Sequence, residues 1–235
     1  ILNSLMVTEY NDPDYQPGTR EEMELFDSWL SGTGDYKAGE NTPDFYTMPG
    51  RMPAYAFMAL FVKLAKGLSL SWPAVFLAGR LGNLLLYTGL MFLAVRRTPV
   101  GKYLLLLIAL FPENVFLACT YSYDPFITGC LSLGTAAFLR ELFRRKGTAD
   151  WKNVCLMLLA FFLGCLPKAV YAPLLLMALL LPAAGFRRKG GSLLYRLAVA
   201  GLFCMLLATF ILPTVLAPAE TGDLRGGAST VGRIK

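Results

Sequence analysis

Apolar residues gather in seven runs, at about residues 52–70, 73–95, 103–120, 125–143, 153–167, 169–186 and 193–216. A helix that crosses a bilayer needs roughly 20 such residues, so several runs are full length and a few are short. Between them lie three basic clusters: Arg96, Arg97 and Lys102; then Arg140, Arg144, Arg145, Lys146 and Lys152; then Arg187, Arg188, Lys189 and Arg196. Basic residues accumulate on the cytoplasmic side of membrane helices, which places all three clusters there. The pattern predicts an all-α, polytopic membrane helical bundle. Residues 103–143 hold Pro112 and Pro125 and are far too long for one crossing at about 1.5 Å per residue, so they predict a hairpin with its tip facing outward. For residues 153–186 one kinked helix would leave Arg187 to Lys189 outside, whereas a hairpin turning at Pro167 and Lys168 keeps both basic flanks inside. The hairpin is the preferred reading, with its turn below the outer surface and shielded by protein.

The run at 52–70 either spans, which makes residues 1–50 cytoplasmic, or lies in the interface, which puts them outside. It carries Lys63 and Lys66. At a helix centre each lysine costs about 2.5–3.5 kcal/mol on the insertion scale, whereas at spacing three both fall on one polar face. An amphipathic helix lying on the outer surface is therefore expected. The resulting division is an external acidic loop region with an interfacial helix over 1–70, a bundle of about six helices over 71–216, and an external loop over 217–235.

Composition sharpens this picture. Of 235 residues, 55% are hydrophobic and 16% charged, and the mean hydropathy of +0.51 excludes an ordinary cytosolic globule. The net charge of +6 is the sum of two opposed regions, because residues 1–50 hold ten acids and two bases while residues 51–235 hold six acids and twenty bases. The bases form short clusters between apolar runs, without the stacking aromatics of a nucleic-acid groove, so nucleic acid is not an expected partner. Cys119, Cys130, Cys155, Cys165 and Cys204 all lie inside apolar runs and read as packing residues. The absence of histidine leaves acid–base chemistry to carboxylates, lysine or tyrosine. The chain opens at Ile1 and ends at Lys235, and reads as one piece of a longer membrane protein.

With this topology, polar residues that are costly in lipid converge at the outer face. Arg80, Asn83 and Tyr87 share one helix face, and Gly79, Gly82 and Gly89 allow a second helix or a ligand to approach the backbone. Glu113 and Asn114 follow Pro112, Tyr121 to Asp124 form the first hairpin tip, and Lys168 with Tyr171 forms the second. One reading is structural: Arg80 pairs with Glu113 or Asp124, Lys168 reaches toward headgroups, and the set pins helices together. The other is a pocket for an anionic amphiphile, with a lipid phosphate as the obvious ligand. In the acidic segment, Glu9, Asp12 and Asp14 flank a turn and are close enough to share a cation or act as a base, although solvated loop acids are the commoner case.

The stretches Gly79-Arg80-Leu81-Gly82-Asn83, Ala109-Leu110-Phe111-Pro112, Tyr121-Ser122-Tyr123-Asp124 and Pro167-Lys168-Ala169-Val170-Tyr171-Ala172-Pro173 resemble the bacterial membrane-protein family called domain of unknown function 2142. The resemblance spans about residues 50–190. That family looks like a relative of the GT-C class of membrane glycosyltransferases, which use polyprenyl-phosphate-linked sugars. The resemblance implies a GT-C-like bundle in the bacterial cytoplasmic membrane, surrounded by membrane lipid. Its first external loop would carry a catalytic carboxylate, often assisted by a divalent metal such as Mg or Mn. By position Asp12 or Asp14 would be the base and the metal ligands. Arg80 and Lys168 would be the phosphate contacts, with Asn83, Glu113, Tyr121, Asp124 and Tyr171 lining the substrate site. Family members commonly carry an acidic, histidine-containing motif just after a first spanning helix, and neither is present in this sequence; the catalytic acid is then Asp12 or Asp14, or lies upstream of Ile1. The alternatives are a lipid or polyprenyl-phosphate binding or transport protein without bond chemistry, and a structural envelope membrane protein.

Overall fold

A computed structural model describes residues 52–144, 149–182 and 191–216, and every regular element among them is helical. Helix α1 covers Met52–Gly67 and α2 covers Trp72–Arg97. Helices α3, Lys102–Ala109, and α4, Pro112–Ala118, form one broken arm, and α5, Asp124–Leu142, returns from it. Helix α6 covers Trp151–Cys165. It is followed by a 3₁₀ turn at Ala169–Tyr171, the short α7 at Ala172–Leu176, a second 3₁₀ turn at Met177–Leu180, and α8 at Gly191–Leu216.

Local chemistry explains the breaks. Helix α2 starts with Pro73 in its first turn and ends on Arg96 and Arg97, where cations meet the negative end of the helix dipole. Gly101, at φ 69°, supplies the left-handed residue that admits α3. Pro112 has no N–H for the carbonyl four residues back. The Asn114 side-chain amide donates to that carbonyl, Ile108 O, at 2.8 Å instead. Pro112 and Pro173 thus turn two of the expected spanning arms into shorter pieces. The arm after Lys168 is a 3₁₀–α–3₁₀ succession rather than one helix.

Helices α2, α5 and α6 pack together through Ala94, Leu133, Ala136 and Ala160. A larger cluster around Val154, Met157, Phe161, Leu175, Ala178, Tyr195 and Val199 joins α5 and α6 to α7, the second 3₁₀ turn and α8. The α5–α6 hairpin is locked at its basic end by a buried polar group. Glu141 accepts from Asn153 Nδ2 at 2.9 Å, from Asp150 N at 3.2 Å and from Arg144 Nη1 at 3.3 Å. Asn153 Nδ2 also donates to Ala137 O at 2.9 Å.

Outward faces stay apolar. Leu77, Leu81 and Phe92 on α2, Leu104 and Leu107 on α3, and Leu193, Leu194, Leu197 and Met205 on α8 are exposed. Helices Pro73–Arg97 and Gly191–Ile211 are long and apolar enough to cross a membrane. Contiguous apolar faces of this kind are a liability in water and the normal condition in lipid.

Helix α1 ends at Gly67, three residues short of the apolar run at 52–70. It folds back along α2 as its antiparallel partner: the Phe61 ring lies where a Cβ on Gly82 would come to 2.9 Å, and Ala54 is buried in a cluster with Leu86, Leu90, Phe126 and Cys130. Lys63 and Lys66 belong to the end of the helix next to the turn into α2, not to its centre. They can therefore reach out past the helix end. The acidic residues 1–50 and the segment 217–235 lie outside the described residues.

Candidate functional site

The first hairpin tip, residues 119–124, is held from α2 by side chains that donate to its backbone. Arg80 Nε donates to Cys119 O. Asn83 Nδ2 donates to Thr120 O at 2.8 Å and to Ser122 O at 3.1 Å. Tyr121 crosses back over α2: its hydroxyl donates to Phe76 O at 2.8 Å, its ring lies on Phe76 with centroids 5.0 Å apart, and it occupies the space above Gly79, where a Cβ would fall 2.0 Å from the hydroxyl oxygen. The glycine is required by that close approach.

Inside the tip, Ser122 Oγ donates to Asp124 Oδ2 at 2.8 Å and accepts from the Asp124 backbone N–H at 3.1 Å. Ser122 thus satisfies the first N–H of α5, where Asp124 also meets the positive end of the helix dipole. The second tip then reaches the first. Lys168 Nζ lies 2.7 Å from Asp124 Oδ1, with each side chain about one third exposed, at 35% and 33%. The ammonium also sits 5.0 Å from the centre of the Tyr123 ring, within reach of a cation–π attraction. The hydrogen bond to Asp124 is the main cause holding Lys168 above its ordinary pKa, so the lysine is charged throughout the physiological range. The Lys168 turn is shaped by Tyr171, whose N–H donates to Lys168 O at 3.2 Å and whose carbonyl accepts from Cys165 Sγ at 3.1 Å.

Arg80, Asn83, Tyr121, Asp124, Lys168 and Tyr171 thus meet around two touching tips, but not in the roles expected of all of them. Asn83 is fully buried and spends both amide hydrogens on the tip, so it positions backbone and cannot line a ligand surface. The Tyr121 hydroxyl is likewise engaged. Arg80 pairs with neither Glu113 nor Asp124; its terminal guanidinium nitrogens make no hydrogen bond or ion pair with the described residues. Glu113 stands in the first turn of α4 after the Pro112 break, exposed and about 9 Å along the helix from Cys119 at 1.5 Å per residue, outside the cluster. Asp12 and Asp14 lie outside the described residues.

Three kinds of contributor were not visible as site residues in the sequence: Ser122, which fixes the Asp124 carboxylate, Tyr123, which lies under Lys168, and the carbonyls of Cys119, Thr120 and Ser122. Only the short spacing Ser122-Tyr123-Asp124 before Pro125 signals the first of them, as a helix start. Among the described residues no three His, Cys, Asp or Glu side chains come together in a way that could hold a metal ion. The described tips carry the cations Arg80 and Lys168.

No curated protein and no solved structure matches the chain. Residues 20–225 match the family described as predicted membrane protein (DUF2142), and the chain belongs to it.

Proposed function

We propose that this member of the DUF2142 membrane-protein family is a GT-C-like polytopic bundle in the bacterial cytoplasmic membrane, and a membrane glycosyltransferase or a piece of one. It transfers a sugar from a polyprenyl-phosphate-linked donor on the external face, for cell-envelope glycan. The observation that carries the reading is the meeting of Arg80 and Lys168 at one pair of hairpin tips. The opposite end of the bundle supports the orientation, because Arg96, Arg97, Lys102, Arg140 and Lys152 all stand at helix ends away from the tips, the arrangement of a cytoplasmic face. Helix α1, 16 residues or about 24 Å long, is shorter than a core of roughly 30 Å. The reading keeps residues 1–50 on the external face, which requires the chain before Met52 to return there from the inner end of this short arm.

In this reaction the acceptor hydroxyl attacks the anomeric carbon of the sugar, and the bond from that carbon to the phosphate oxygen breaks. The hydroxyl proton passes to a carboxylate, with Asp12 or Asp14 in that role, and polyprenyl phosphate leaves with its charge held by Arg80 and Lys168. A divalent metal bound at Asp12 and Asp14 would add electrostatic stabilisation of the phosphate. Asp12→Asn and Asp14→Asn test the step: with membranes supplied with polyprenyl-phosphate-linked sugars, release of polyprenyl phosphate should be lost in at least one variant while the lipid still binds. Unchanged release in both would remove these residues from the chemistry.

A second reading, lipid-phosphate binding or transport without catalysis, is favoured by the engagement of both Asp124 oxygens with Ser122 and Lys168, which gives the carboxylate at the tips a positioning role. Under it, both asparagine variants move lipid as well as the parent protein does.

A further inference from the structure

We propose that Asp124 sets the charge class of the ligand, acting as a fixed counter-ion that penalises a second negative charge; this rests on the reading that Arg80 and Lys168 receive a phosphate. The carboxylate is not free to swing aside. Oδ1 is held by Lys168 at 2.7 Å and Oδ2 by Ser122 at 2.8 Å, and its own backbone is tied to Ser122 Oγ at 3.1 Å. Lys168 is thus already neutralised, and among the described residues Arg80 supplies the uncompensated charge. The tips carry two cations and one carboxylate, a net charge of +1. Glu113 stands apart and contributes nothing to this balance.

A phosphodiester headgroup brings one negative charge and matches that balance. A phosphomonoester, whose second pKa is about 6, brings nearly two at pH 8. Repulsion from a fixed carboxylate scales with the charge of the ligand, so its effect on the binding constant is squared for a dianion relative to a monoanion. Asp124 therefore cuts back the preference of the two cations for the free lipid phosphate relative to a lipid phosphodiester, the difference between a spent carrier and a loaded one. Because the pair is about one third exposed, solvent screening keeps the effect modest.

The test uses the purified chain in detergent at pH 8, with citronellyl phosphate as the monoester and methyl citronellyl phosphate as the diester, and measures both binding constants by calorimetry. Asp124→Asn should tighten the diester about threefold and the monoester about tenfold. Asp124→Ser, which keeps a short polar residue at the start of α5, should do the same and guards against a folding defect in the first variant. A ratio of the two constants that is unchanged, or binding that weakens in both variants, overturns the role of Asp124. The underlying reading is tested separately by Arg80→Gln and Lys168→Gln: loss of both probes supports it, and binding equal to the parent protein overturns the site itself, whatever Asp124 does.

Discussion

Asn83 shows how a residue that looks like a ligand contact can be spent on architecture. One side-chain amide satisfies two carbonyls, Thr120 O and Ser122 O, in a tip whose backbone would otherwise face a low-dielectric surrounding. Replacing it by leucine of similar bulk leaves both acceptors unpaired, at about 1–3 kcal/mol each. Asn83→Leu should therefore lower the thermal midpoint in detergent markedly. Tyr121→Phe, which removes a single hydrogen bond from an exposed hydroxyl, should cost about 1 kcal/mol or less. A midpoint for Asn83→Leu equal to that of Tyr121→Phe would mean that the tip does not depend on α2. Sequence spacing placed Arg80 and Asn83 on one face of one helix, and that face does meet the tip. What spacing could not show is that the partner would be backbone, since a carbonyl has no residue type to read.

At the scale of elements, the breaks were legible and one pairing was not. Pro112 and Pro125 marked the first hairpin because proline leaves an unmet acceptor in a helix interior, and Pro167 with Lys168 marked the second. The pairing of α1 with α2 was not legible, because Lys63 and Lys66 were weighed as if central to a run reaching residue 70, whereas the helix ends at Gly67 and the lysines stand beside its turn. The small residue opposite, Gly82, is what admits α1, and it can be read only once the pairing is known. Gly82→Leu should separate the two helices and destabilise the protein. Phe61→Ala in the same chain should recover part of the loss, because it removes the two ring atoms that a Cβ at position 82 meets at 2.9 Å and leaves the Phe61 Cβ at 3.0 Å. Additive losses in the double variant, with no recovery, would show that α1 does not pack on α2 at this point.

At the scale of the molecule, and among the described residues, Arg96, Arg97, Lys102, Arg140 and Lys152 gather at one set of helix ends, and a touching pair of tips that carries Arg80 and Lys168 closes the other. The all-helical character and the membrane environment were legible because both follow from long apolar runs and their basic flanks. The contact between Lys168 and Asp124 was not, since it joins residues 44 apart through two turns whose relative height depends on how α5 and α6 pack. The central claim is that this contact and Arg80 form the receiving site for a lipid phosphate. Native mass spectrometry of the protein purified in mild detergent tests it most directly, with Arg80→Gln and Lys168→Gln prepared in parallel. A co-purifying polyprenyl phosphate or its sugar adduct on the parent protein, lost in both variants, is the predicted result; no adduct, or one retained equally in both, would contradict it and return the two cations to a purely structural role.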